Sequence, residues 1–341
     1  MTTEMSSMER VMTALDFKEP DRVPLFLLFS MYGAKELGLG IKKYFSDPDN
    51  VVKAQIYMKE KYRNDCYYAS TYVAVEVEAC GGEVIFSENG PPNAGRPIIK
   101  HSQDILSFDP PKVKQTKCLL NTLEIIQKLK NHSDSVPIIG TVVSPFSLPV
   151  MQMGFDKYLD LMYDDRQLFA DLMSKNEAFC VEWANAQLEA GATAIVYFDP
   201  VSSPSIIPRE MYLKTGFEVA RRTIPRINGA TATHFASGNS LPIIDDIVKT
   251  GTAAIGVSSM EDIGEIKQKC HGKLSIIGNL NGIEMCHWSI EDTQAAVKNI
   301  ITKGAKGGGL VISDNHGEIP FQVKEETLHA IADAVKKWGH Y

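Results

Sequence analysis

The chain of 341 residues is most informative at first through what it lacks. Its six cysteines are scattered, and no two stand as C-x-x-C. That spacing excludes a disulfide framework and a four-cysteine zinc site, and it reads as reduced, cytoplasmic thiols. Any metal must therefore rely on His, Asp or Glu. No stretch approaches the roughly 18 consecutive apolar residues of a membrane span. The start, "MTTEMSSMERVMTALDF", has no basic residues leading into an apolar run, so it is not a secretory signal. No basic stripe is present. The net charge is −7 with both signs interspersed, which argues against nucleic acid as the main ligand. No G-x-G-x-x-G follows the first apolar run. The glycines of "GAKGGGL" precede a strand pattern, whereas a phosphate cradle would open a helix. No internal repeat, low-complexity segment or linker interrupts the chain.

What is present is an ordinary globular balance. Hydrophobic residues make up 44% and charged residues 23%, enough for a sizeable core. The length fits two ordinary domains or one large α/β barrel. A helix near Ser7 to Leu15 precedes "RVPLFLLF", an apolar run of buried-strand length. "CYYASTYVAVEVEACGGEVIF" mixes β-rich residues with a glycine pair and stays ambiguous, and "GPPNAGRP" reads as a loop. From "VPIIGTVV" onward strands and helices alternate regularly, through "TAIVYFDP", "ATATHFA", "TAAIGVS", "LSIIGNLN" and "GGLVISD" to a last helix in "KEETLHAIADAVKKWG". Such alternation implies parallel strands with right-handed crossovers. The expectation is one (β/α)8 barrel over residues 1–341, with extra N-terminal helices.

In such a barrel the active site lies at the C-terminal ends of the strands. The strand ends therefore name the candidates: Asp199, His234, Ser258 and Ser259, Asn279 and Asn281, and the crowded "DNHGE" of Asp314, Asn315, His316 and Glu318. Each has a plainer reading. Asp199 before Pro200 suits a turn, a lone strand-end histidine is often a satisfied core residue, and Asn holds loop backbone well. Two histidines on one barrel face are harder to dismiss. The Met-rich "LPVMQMGF" reads as core or as the wall of an apolar cavity.

Four stretches together resemble the uroporphyrinogen decarboxylase superfamily, and within it the corrinoid-dependent methyltransferases. They are "MERVMTALDFKEPDRVP", "TATHFASGNSLPIIDDIVKTGTAAIGVSS", "IIGNLNGIEMCHWSIEDTQAAVKNII" and "GGGLVISDNHGEIPFQVKEETLHAIADAVKKWG". The resemblance implies the (β/α)8 barrel. True decarboxylases of this superfamily carry an arginine-rich R-Q-A-G-R after the first strand, where bidentate arginines suit substrate carboxylates. The corresponding "LFSMYGAKELGL" has no arginine. The methyltransferase branch holds zinc with H-x-C on one strand and a further Cys on the last. This sequence keeps His234, has Ala236 at the first sulfur position, and has "SDNHGE" at the second.

The resemblance thus implies zinc held without sulfur, by His234, His316 and one of Asp314, Glu318 or Glu76, as nitrogen and oxygen ligands permit. His234, His316 and Asp199 are the expected catalytic groups, and Tyr32, Asn279 and Met151 the expected substrate contacts. The expected reaction moves a methyl group from a methoxy-aromatic donor to the cobalt of a corrinoid (cobalamin-type) cofactor. No D-x-H-x-x-G motif for corrinoid binding occurs, so a separate corrinoid-binding protein is the expected partner. A zinc-free member in which His234 and His316 only donate hydrogen bonds, a coenzyme M-type thiol methyltransferase, a decarboxylase-like lyase and a non-catalytic binding barrel for a small aromatic ligand remain alternatives.

Overall fold

The computed structural model describes residues 4–341. Its centre is a curled parallel sheet of β1 (Tyr67–Tyr68), β4 (Ile138–Val143), β5 (Ala194–Phe198), β6 (Ala230–His234), β7 (Ala254–Gly256), β8 (Ser275–Ile277) and β9 (Leu310–Val311), paired in that order. Two further short strands, β2 (Val84–Ile85) and β3 (Asn93–Ala94), form a separate antiparallel pair. Helices between successive strands cover the outside, so the architecture is the expected TIM-barrel-like one.

Side-chain alternation explains the two-layered core. Along β5, Val196 and Phe198 point into the barrel with Phe26, Leu28, Cys66, Tyr68, Ile139 and Val311. Ile195 and Tyr197 point out against the helices. The helices begin and end where caps allow. Arg166–Ala190 starts at the Asp165 side chain and ends at Gly191 in the left-handed conformation (φ 117°), and Ile290–Gly304 starts with a capping box between Ser289 and Asp292.

Three segments differ from the sequence expectation. The helix that the alternation implies between "ATATHFA" and "TAAIGVS" is, within "SLPIIDDIVKTG", only a four-residue helix, Ile244–Ile247, between two 3-10 turns, the first of which contains Pro242. The ambiguous stretch splits into β1, a short helix Val75–Ala79 and β2, and part of the expected loop "GPPNAGRP" is β3. The third is "RVPLFLLF". It occupies the eighth barrel position without being a regular strand. On one side it bridges Ile312 through Leu25, with Phe26 N–H donating to Ile312 O. On the other side one backbone bond, Asp65 N–H to Leu25 O at 2.7 Å, is completed by side chains. Asp65 Oδ2 accepts from Leu25 N–H (2.8 Å), and Asn64 Oδ1 accepts from Leu27 N–H (2.7 Å). Pro24 cannot donate a strand hydrogen bond, though its carbonyl accepts from Ile312 N–H.

Asp65 also binds two guanidinium groups, Arg10 (2.7 Å) and Arg22 (2.8 Å), and Arg10 in turn holds Asp21 (2.7 Å). This network closes the N-terminal end of the barrel beside a cavity of about 530 Å3. Conservation aside, that end of such a barrel serves stability, since the chemistry sits at the other. Replacing Asp65 by Ala leaves the buried Arg10 with Asp21 as its remaining carboxylate, removes the carboxylate partner of Arg22 and unpairs Leu25 N–H. The Asp65→Ala variant is expected to lose about 3–5 kcal/mol in urea unfolding, and a loss below about 1 kcal/mol, the value of an exposed pair, contradicts this role for the seam.

Candidate functional site

His234 closes β6 with its side chain inside the barrel, 2% exposed. Its ring stacks on Phe198, the residue paired with it on β5, at 5.2 Å between centroids and 10° between planes. The opposite side of the slot is Gly256 on β7. A Cβ there would fall 2.1 Å from His234 Cδ2, so only glycine leaves room for the ring. Ala236 adopts φ 52°, and its N–H donates to His234 Nδ1 at 3.0 Å. Nε2 is buried and has no hydrogen-bond partner. Burial, and secondarily the nearby His316, push the imidazole down to about 4, so the ring is neutral near pH 7. Alternation along the last strand puts Ser313 on the inner face with Val311, and its hydroxyl is a second buried group without a partner.

The "DNHGE" loop folds over this interior. Gly317, at φ 102°, lies against the Phe198 ring, where a Cβ would sit 2.7 Å from it, and its carbonyl accepts from Tyr68 OH at 3.4 Å. The polar side chains staple the loop to its neighbours. Asp314 Oδ1 accepts from Leu28 N–H, and its Oδ2 accepts from the N–H groups of His316 and Gly317, all at 3.2 Å. Asn315 bonds Gly282 N–H and Ser259 Oγ. His316 Nδ1 meets Ser237 Oγ at 2.7 Å, and Glu318 Oε2 accepts from Ser30 Oγ at 2.7 Å. Burial raises both carboxyl groups, opposed by these donors.

His234 and His316 are thus brought to one end of the barrel, while the other expected site residues have different surroundings. Asp199 is 2% exposed and faces outward, its Oδ1 held by the hydroxyls of Ser144 (2.6 Å) and Ser147 (2.7 Å). It anchors the turn after β4 rather than standing on a cavity rim. Tyr32 is fully buried beside Phe29 and Tyr62 with its hydroxyl on Val323 O, a core position. Met151, on the short helix Pro149–Met153, is partly buried against the main core. Asn279 lines a cavity of about 430 Å3 with Asn281 and Trp288, but its amide nitrogen is engaged by the carbonyls of Ser258 and Glu261. Glu76 sits on the helix Val75–Ala79, where Val143 N–H donates to it (2.8 Å). Burial is the largest influence and raises it to about 8, against the pull of that amide and of the Trp183 indole.

This donor set does not fit the zinc expected from the resemblance. Asp314 already accepts three backbone N–H groups, Glu76 is tied through Oε1 to Val143 N–H, and Ala236 offers no sulfur. Among the described residues no three His, Cys, Asp or Glu side chains are grouped so as to hold a metal ion. The arginine-free "LFSMYGAKELGL" offers no free cation either, since Lys35 Nζ donates to the carbonyls of Phe321 and Val323. Phe198 and Gly256 were the residues that sequence reasoning missed. Phe198 lies next to Asp199 on the inward register of β5, and alternation alone would have pointed to it.

The profile of the uroporphyrinogen decarboxylase (URO-D) family matches residues 6–338. The chain belongs to that family. It is similar to the uroporphyrinogen decarboxylase of Methylococcus capsulatus, 24% identical over 306 residues, covering 86% of this chain and 85% of that protein. It is also similar to the uroporphyrinogen decarboxylase of Coxiella burnetii, 24% identical over 252 residues, covering 71% and 68% respectively. Among solved structures, a methyltransferase from Methanosarcina mazei superimposes with a TM-score of 0.88 at 20% identity, covering 98% of this chain and 99% of that one. A B12-independent methionine synthase from Shewanella sp. W3-18-1 superimposes with a TM-score of 0.60 at 13% identity, covering 93% and 98%. At these identities the two structures share the fold. No helix among the described residues is long and apolar enough to cross a membrane.

Two outcomes follow from the packing and the buried charges. Gly256→Ala drives a methyl group into the His234 ring, and a loss of about 1–3 kcal/mol in chemical unfolding is expected; an unchanged midpoint contradicts the slot. Glu76 is raised from 4.5 to about 8 on folding, so between those values the folded chain holds a proton that the unfolded chain has lost, and stability falls as pH rises. His234 is shifted from 6.5 to about 4 and acts in the opposite sense, but only below 6.5. Between pH 6.5 and 8 Glu76→Gln is therefore expected to remove a decline of about 2 kcal/mol seen in the wild type. Parallel stability curves for the two proteins contradict a carboxyl protonated by burial.

Proposed function

We propose that the chain is a corrinoid-dependent methyltransferase that takes a methyl group from an oxygen-linked, methoxy-aromatic donor and passes it to the cobalt of a corrinoid carried by a separate protein. The observation that carries this reading is the environment of His234. It is a neutral imidazole with an unpartnered Nε2, stacked on Phe198 at the functional end of the barrel. The surroundings of the ring are apolar, with Phe26, Leu28, Val196 and Phe198 in the same inner cluster, and favour an uncharged molecule over a charged one. Lys35, the one cation of "LFSMYGAKELGL", is taken up by the carbonyls of Phe321 and Val323, which argues against a substrate with many carboxylates. Membership in the family and the likeness to a methyltransferase fold are consistent with the reading.

The chemistry asks little of the chain beyond positioning and electrostatics. A corrinoid presented by the partner would supply the electron pair for the new bond to the methyl carbon. The carbon–oxygen bond breaks, and its pair leaves on the aryl oxygen, which later takes a proton from water. The developing negative charge is where a fixed donor counts. A hydrogen bond from His234 to that oxygen strengthens as charge builds, in a site from which water is excluded. A neutral imidazole can play this electrophilic part without acting as an acid. Ile206, Met260 and Ile283 stand exposed on the loops after β5, β7 and β8 and offer an apolar rim for a protein that presents the cofactor.

The test is anaerobic incubation with cob(I)alamin and a panel of methoxy-aromatics, methylamines and methyl thiols, followed through the cobalt spectrum. Methylation from at least one methoxy-aromatic is expected. His234→Ala is expected to slow it by about 10²-fold or more with folding retained. A wild-type chain inert toward every methoxy-aromatic removes the donor assignment. Near-normal turnover in a folded His316→Ala variant assigns His316 to the loop staple alone.

A further inference from the structure

Which nitrogen of a neutral imidazole carries the proton is set by what the other nitrogen meets. At His234 that partner is the backbone amide of Ala236, 3.0 Å from Nδ1. An amide N–H can only donate, so Nδ1 must offer its lone pair and the proton sits on Nε2. A zinc ion bound through Nε2 needs the reverse, with Nε2 bare and the Nδ1 proton given to a carbonyl, a carboxylate or water. A zinc ion bound through Nδ1 would have to displace the amide. Turning the ring over does not rescue either arrangement, because it sets a carbon against the Ala236 N–H and forfeits that bond. The slot between Phe198 and Gly256 holds the ring plane fixed in both cases. Ala236 aims its amide by adopting φ 52°, a conformation that costs a non-glycine residue energy and that the hydrogen bond to Nδ1 offsets.

The far side of the ring is the complement. Nε2 is fully buried and meets no acceptor, and the Ser313 hydroxyl on the same inner face has none either. An N–H left without a partner in an apolar interior is costly, and a ligand atom that accepts it recovers that cost. We infer that His234 works without a metal: its imidazole is locked as the Nε2–H tautomer and offers that N–H to an acceptor oxygen of a bound molecule. The inference deepens the methyltransferase reading, on which the identity of the oxygen as an aryl ether rests, but the lock itself stands on the chain's own geometry.

The experiment uses the full chain with ¹⁵N-labelled histidine and long-range ¹H–¹⁵N spectra, His234 being assigned by the signals that His234→Gln removes. Expected are an unprotonated Nδ1 and a protonated Nε2, neither moved by an equivalent of zinc. Guaiacol, used as the probe, is expected to shift Nε2 and leave Nδ1 in place. Metal analysis of protein made in zinc-supplemented medium should find zinc far below one equivalent and no lower in His234→Gln. If that variant does not fold, metal analysis and zinc titration of the unmodified chain decide the matter. One tightly held zinc per chain, a proton on Nδ1, or an Nε2 unmoved by saturating guaiacol overturns the inference. None of these readouts needs cobalt. A chain that gives the expected spectra yet moves no methyl group keeps the lock and loses the methyltransferase reading. A zinc-loaded chain that demethylates does the reverse.

Discussion

The seam at the eighth barrel position constrains everything above it. A closed parallel barrel needs each strand to be paired on both sides, yet toward β1 the irregular segment has the backbone bond from Asp65 N–H to Leu25 O and leaves the N–H groups of Leu25 and Leu27 without backbone acceptors. Asp65 and Asn64 supply the missing acceptors from their side chains. A carboxylate in that position carries charge into a buried seam, which is tolerable only because Arg10 and Arg22 pair with it. The same segment, three residues on, presents Leu28 N–H to Asp314 and Leu28 O to Ile319 N–H. The loop over the barrel interior therefore hangs from the segment that Asp65 fixes at the other end.

That connection explains four polar residues crowded into "DNHGE". Each reaches a different neighbour: Asp314 the eighth segment, Asn315 the loops after β7 and β8, His316 the loop after β6, and Glu318 the Ser30 hydroxyl. A loop that must cover an apolar interior has backbone N–H groups to satisfy, and side chains that accept or bridge are the means available. Read as metal ligands, Asp314 and Glu318 would have to abandon these partners.

Periodicity made the barrel and the strand ends legible, because alternation of apolar runs with helical patterns is a property of contiguous residues. The placement of His234 was legible for the same reason. What did not show was set by geometry across strands. Asp199 and His234 end neighbouring strands, yet Asp199 follows the outward register of Tyr197, whereas His234 follows the inward register of Ala232. One step of the pleat separates a turn anchor from a site residue. Tyr32 and Met151 carry groups suited to a ligand but lie where helices pack, and no local pattern distinguishes a buried tyrosine from a binding one. Gly256 reads as an ordinary strand glycine until the ring it accommodates is seen. "RVPLFLLF" reads as a strand by composition, and only its partners show that side chains complete it.

The electrostatics of the site point in one direction. Burial holds His234 neutral and raises Asp314 and Glu318, so the interior resists fixed charge of either sign. Such an interior solvates a fixed charge poorly. It accommodates an uncharged molecule and becomes most useful when charge appears only in transit, on an atom placed at the Nε2–H. The proposed breaking of an aryl ether generates charge in that way. With Ala at position 236 and no cysteine in the last loop, a neutral donor in an apolar setting suits the proposed substrate, one that departs as an oxyanion.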